Sequence, residues 1–220
     1  MGVGQSDAAR ISIADLWVCN SSEIWEKEFE RYWCFVRREN MAIEKSLDKL
    51  QLDRIRAMDE EAWYDFLHDE YFRWKYTARN RLATTMMQLE KYKSENALAQ
   101  LDIIRHQILA LNPDDIQAGL TVACKIRGLG TAGASGLLSL MFPRSFATVD
   151  QFVVKALLGV RDLPERENLK RMNPESLTIK NAVILTEILR QKVAEMNPAL
   201  KSDFWTPRRL EMVLWTYGRN

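Results

Sequence analysis

The chain is short of the residues that build disulfide frameworks and metal centres. Its 220 residues include only three cysteines, Cys19, Cys34 and Cys124, with no Cys-x-x-Cys pair. An odd, scattered set argues for a reducing compartment and excludes a zinc ribbon or a four-cysteine iron–sulfur cluster. Histidine occurs only at His68 and His106. No carboxylate spacing singles out partners for them, so both are expected in the core or on the surface and not on a metal. No apolar run approaches the length that spans a bilayer, and the N-terminus has no basic stretch followed by an apolar core. Neither a membrane segment nor a signal peptide is expected. Nine glycines and six prolines are too dispersed to mark a flexible linker, and no repeat appears.

One further absence is local. From Ile116 to Val149 there is no acid, where 30 acids in 220 residues would place about four or five. The charges that remain there are Lys125, Arg127 and Arg144, all positive. A core segment would be poor in charge of either sign, so the one-sidedness points to local electropositivity despite a net charge of only +1.

What is present is helical periodicity, in a chain that is 47% hydrophobic. Trp25, Phe29, Tyr32, Trp33 and Val36 recur at helical spacing after a cap at Ser21 or Ser22. A second helical stretch covers about 59–76, and 79–111 holds one or two more with a break near Ser94. Asn112-Pro113 reads as a cap followed by proline in the first turn. Gly159 and Pro164 mark a stop, the Asn173-Pro174 and Asn197-Pro198 pairs bracket a helix centred on 183–193, and Thr206-Pro207 caps a last helix. No alternating run survives as a strand, so the fold class is all-α.

The most informative stretch is Ile126-Arg-Gly-Leu-Gly130 with Asp150 twenty positions after it. Glycine at 128 and 130 permits a tight turn between two helices. The helix after the turn, starting near Thr131, has first amides without an intrahelical partner, and they can converge on a phosphate oxygen. Lys125 and Arg127 would add charge to that contact, which positions a protein on DNA without reading sequence. A plain helix–helix turn explains the same two glycines. Ala132, Gly133, Ala134 and Gly136 imply close approach by a neighbouring helix or by a sugar-phosphate strand. Asp150 precedes an apolar helical run and fits an N-cap. The amides and dipole at such a position favour an ionised carboxylate, so the cap and a catalytic role are compatible.

The segment resembles the helix-hairpin-helix DNA glycosylase superfamily, whose hairpin is typically Leu-Pro-Gly-Val-Gly followed by a helix, a loop and a Val-Asp pair. Ile126–Gly130 matches the hairpin and Val149-Asp150 the pair, within a match over about 112–158. The closing segment Thr206–Trp215 is similar to terminal helices of such folds, less specifically. The resemblance implies a two-lobed helical unit over 1–220 with an interlobe cleft, one lobe near 59–158 and the other from 1–58 and 159–220. It implies double-stranded DNA as partner, hairpin contacts from Lys125, Arg127, Gly128, Leu129, Gly130, Thr131 and Ala132, and a damaged or modified base rotated into the cleft. Asp150 would stabilise positive charge on the sugar and orient a water.

The departures are informative. The lysine that lets many members nick the strand is Ala132 here, so hydrolysis without efficient strand cleavage is expected unless another lysine such as Lys75 substitutes. The usual hairpin proline is Arg127, and a frequent histidine two places after the aspartate is Phe152. By the same resemblance the carbonyls of Cys124, Ile126 and Leu129 would hold a structural alkali ion, with no catalytic metal and no cofactor. An aromatic platform with polar groups is the usual base pocket, and 71–81 offers Trp74, Lys75, Tyr76 and Asn80 as candidates, although seven tryptophans also suit a large core. A monomer in the cytoplasm with the nucleoid, or in the nucleus, is expected. A catalytically silent DNA-binding module and a helical protein-interaction domain are the alternatives.

Overall fold

A computed structural model describes residues 10–219. Helix α1 (Ile13–Trp17) is capped by Ser12 and α2 (Ser22–Phe35) by Ser21. Helices α3 (Met41–Asp48) and α4 (Leu52–Arg56) follow. Helix α5 (Glu60–Asp65), capped by Asp59, runs through a π-helical segment, Phe66–Tyr71, into α6 (Phe72–Lys75). Next come α7 (Arg79–Ser94), α8 (Leu98–Leu109), α9 (Ile116–Ala123) and, after the glycine turn, α10 (Thr131–Met141). Helices α11 (Gln151–Leu158), α12 (Arg166–Arg171), α13 (Ile179–Leu200) and α14 (Pro207–Gly218) complete the order. Among the described residues there is no strand, so the chain is all-helical. None of these helices is long and apolar enough to cross a membrane.

Several boundaries differ from the sequence expectation, each for a local reason. Asn112 does not start a helix; its side chain accepts from the Asp114 amide in a turn, and Asp115 caps α9 instead. The start of α13 is set by Thr178, whose hydroxyl and the Asn181 side chain cap each other's amides, and not by Asn173-Pro174. Pro198 does not stop α13 either. The helix continues to Leu200 and ends where Lys201 turns left-handed, while the Asn197 side chain bonds the backbone of Trp205 at both its amide and carbonyl.

Packing brings the two ends of the described chain together: α14 lies against α2, α11 and α13, and α13 reaches α9 and α10. Helix α5 packs on α8, and α8 on α7 and α9. The core is rich in aromatic area, with Trp25, Trp63 and Trp205 fully buried and Trp25 meeting Trp205 edge-on at 5.5 Å. The π segment carries one extra residue per turn, which shifts the side chains beyond it around the helix axis. Beyond it the Lys75 stem packs on Gly136 of α10 and Trp74 reaches Glu44, while at its end the Tyr71 hydroxyl donates to the Gly133 carbonyl. Gly133 and Gly136 are small because this helix lies against them: a Cβ at Gly136 would stand 2.8 Å from the Tyr71 hydroxyl, and one at Gly133 closer still to Tyr76. Of the two occupants the sequence allowed, the neighbouring helix takes the place.

Candidate functional site

The hairpin is seated from below. Gly128 has φ +90°, and a Cβ there would come within 2.6 Å of the Thr85 carbonyl of α7. Its own carbonyl accepts from the Tyr76 hydroxyl at 3.2 Å. Gly130 has ordinary extended geometry, and a Cβ added to it would meet nothing within 4 Å. The turn therefore leaves open space beside Gly130, where α10 starts without a side-chain cap. The Leu129 side chain is buried, so only its backbone is available to a ligand.

The basic residues beside the turn are largely occupied. Arg127 pairs with Glu95 at 2.6 Å and lies over the Tyr92 ring, while the Lys125 ammonium donates to Gln107. The electropositivity expected from 116–149 is offset at Arg127 by an acid from the α7–α8 connection, which linear sequence could not reveal. Among the described residues no hydrogen bond reaches the Cys124 or Leu129 carbonyl, and that of Ile126 accepts only the Leu129 amide. No cluster of three His, Cys, Asp or Glu suited to a metal occurs among the described residues.

Asp150 is placed by the segment before it. The Val149 amide donates to Ser135 of α10, and Thr148 exchanges a hydrogen bond with Ser139 one turn further along. Arg190 of α13 ties down the loop ahead of them through the Ser145 carbonyl, and bonds the Pro113 carbonyl as well. Asp150 then caps α11, its Oδ1 accepting from the Phe152 and Val153 amides at 2.9 and 3.4 Å. Among the described residues no hydrogen bond reaches Oδ2. Ser135 stands five positions beyond Gly130, about 7.5 Å along the axis at 1.5 Å per residue. The uncapped amides and Asp150 thus belong to one helix neighbourhood.

Asp150 lines a cavity of about 310 Å³. Tyr32, Phe35, Trp74, Phe152 and Trp215 supply aromatic walls, while Glu44, Lys75, Arg208 and Glu211 supply charge. Deep in the wall a buried network joins four helices, α2, α3, α6 and α14. Glu44 accepts from the Tyr32 hydroxyl at 2.7 Å, from the Trp74 indole and from Arg208 at 3.2 Å, and Arg208 also pairs with Glu211. Burial opposes the Arg208 charge, but Glu211, Tyr32 and Glu44 outweigh it and hold the guanidinium firmly protonated. Burial pushes the Glu211 carboxyl up to about 7, against the pull of Arg208 and with help from the negative charge of Asp150. Burial lowers the Lys75 amine, which Asp150 partly counteracts. Lys75 makes no ion pair within 4.0 Å among the described residues, and its stem packs on Gly136. The cavity therefore presents a carboxylate with one uncommitted oxygen, an unpaired amine and a second carboxyl poised near neutrality.

Of the sequence candidates 74, 75, 76 and 80, Trp74 and Lys75 line the cavity. Tyr76 does not; its ring packs beneath the hairpin, and burial pushes its hydroxyl up to about 12. Asn80 does not either: it is exposed in the first turn of α7, its side chain accepting from the Arg81 amide. Glu44, Arg208 and Glu211 escaped the sequence reading. Arg208 and Glu211 stand three apart on one helix, a visible pair, but Glu44 meets Arg208 across 164 positions. The chain matches no family model, no curated protein and no solved structure.

Proposed function

We propose that this protein is a DNA N-glycosylase of the helix-hairpin-helix type, hydrolysing the bond between deoxyribose and a rotated-out damaged or modified base. The observation that carries the reading is the position of Asp150. It caps α11 with one oxygen and borders an aromatic cavity with the residue as a whole, and the residue before it is bonded to Ser135 on the helix whose first amides are open. The amides of Thr131, Ala132 and Gly133 hold a phosphate at the start of α10. The base enters the cavity between aromatic faces; at about 310 Å³ it stands at the small end of ligand pockets, suited to one base. As the glycosidic bond lengthens, positive charge grows on the sugar, and a fixed carboxylate beside it stabilises that charge and orients the attacking water. The helices on either side of the cavity act as the two lobes of such a fold.

Ala132 stands where a strand-nicking lysine would, which favours hydrolysis alone. The protein would act as a monomer on double-stranded DNA at the nucleoid or in the nucleus, in repair or against modified foreign DNA. The second reading is a catalytically silent DNA-binding module, favoured by the use of Asp150 as a helix cap and by Phe152 in place of a supporting histidine. Duplexes carrying a panel of lesions, incubated with the protein and heated in alkali, separate the two. The glycosylase reading expects alkali-labile abasic sites on at least one lesion, while tight binding to every duplex with no abasic product favours the silent module.

A further inference from the structure

The charges around the cavity are sorted by depth. Glu44, Glu211 and Arg208 are buried in its wall, whereas Arg37 and Arg219 line its mouth and are exposed. Some arginines are matched to acids, as Arg10 is to Glu28, Arg54 to Glu70 and Arg127 to Glu95, and others, Arg161 and Arg171 among them, are not; what sets Arg37 and Arg219 apart is their place on this cavity. Among the described residues neither Arg37 nor Arg219 forms an ion pair, although Glu39 is only two positions from Arg37. They come from the ends of α2 and α14, while the hairpin is seated on α6 and α7.

Arg219 is also held in place. Its guanidinium lies 4.9 Å from the Trp215 ring centre and 5.9 Å from that of Phe35, two of the cavity's aromatic walls. A stacked guanidinium keeps its donors free in the plane of the fork and loses less freedom when it binds. Paired donors of this kind match the two unesterified oxygens of a phosphodiester. An unmatched pair of guanidiniums above a carboxylate-bearing cavity suits a ligand with anionic groups at the rim and a neutral body below.

We propose that Arg37 and Arg219 form a second clamp, one guanidinium to each of two phosphodiesters, gripping the DNA strand on the far side of the extruded nucleotide from the hairpin. The proposal rests on the DNA-processing reading above, but its test does not require base release. The probe is a short duplex carrying a tetrahydrofuran abasic analogue, with binding by the full chain measured over a salt series. Each lost phosphate contact lowers the slope of log K against log salt by about 0.9, so Arg37→Ala/Arg219→Ala should reduce it by about 1.8. Arg161→Ala/Arg171→Ala removes the same charge from exposed positions away from this cavity and should leave the slope unchanged. Arg37→Lys/Arg219→Lys, which retains the charge, should restore most of it. An unchanged slope in the alanine pair, or an equal drop in the control pair, overturns the clamp, as does wild-type binding that ignores salt. A protein that shows the slope change and releases no base keeps the clamp and loses the glycosylase reading; normal release with an unchanged slope does the reverse.

Discussion

Asp150 carries two duties that substitution can separate. As a cap it accepts from the Phe152 and Val153 amides, and asparagine caps a helix about as well as aspartate. Asp150→Asn should therefore melt within about 1 °C of wild type, a shift well under that of a lost cap. Asp150→Ala removes the acceptor and should cost about 1 kcal/mol, a fall of roughly 2–4 °C in Tm for a chain of this size. Chemistry should respond differently, because what faces the sugar is charge. Loss of one preorganised electrostatic stabiliser typically costs about 10²–10³ in rate, or about 3–4 kcal/mol, so both variants should fall at least that far. Single-turnover base release on a lesion that wild type excises, with DNA affinity and melting followed in parallel, reads all three quantities. If Asp150→Asn released base at the wild-type rate, the electrostatic role would be refuted. Equal melting losses in the two variants would refute the account of the cap.

The two hairpin glycines should also part company. Gly128→Ala forces a side chain onto φ +90° and into the Thr85 carbonyl, which should cost about 1–3 kcal/mol in denaturant unfolding. Gly130→Ala meets no protein atom and should change stability by less than about 0.5 kcal/mol, yet weaken DNA binding, because its methyl occupies the space left for a phosphate. Comparable losses of stability at both positions would contradict this division. Glu211 predicts a pH effect. Its folded carboxyl titrates near 7, above the ordinary 4.5, so the folded state holds the extra proton. Its contribution to stability is complete below about 4.5 and is lost as pH rises through about 7. Glu211→Gln should flatten the decline in Tm across that window, and an unchanged profile would show that Arg208 keeps the carboxyl ionised throughout.

The legible part of this molecule is its local grammar. Ser21, Asp150 and Thr206 declare helix starts through their own side chains, and the structure agrees at each. Gly128-Leu129-Gly130 announced a turn, and a turn is there. Errors arose where a distant partner decided the outcome. Asn197-Pro198 looks like a terminus, but the helix runs on to Leu200 and ends where Lys201 turns left-handed, with Asn197 tied to Trp205. Arg127 looked like spare positive charge until Glu95 was folded against it. Tyr76 and Asn80 shared a segment with Trp74 and Lys75 but not a face, because the helix ends at Lys75 and the next begins at Arg79. The Glu44–Arg208–Glu211 network joins α3 to α14, and a single sequence gives no way to pair them.

The π-helical segment at Phe66–Tyr71 has a consequence for length variation in this chain. It lies just upstream of Trp74 and Lys75, the only cavity-lining residues on α6. Removing one amino acid there would let the turn relax to ordinary winding while the residues after it kept their faces, because the wide turn already absorbs one extra residue. The indole would keep its Glu44 acceptor and the amine stem its seat on Gly136. A one-codon deletion in this stretch is thus a length change the chamber absorbs, whereas the same loss within the ordinary winding of α5 would turn Trp74 and Lys75 by about 100° and empty it.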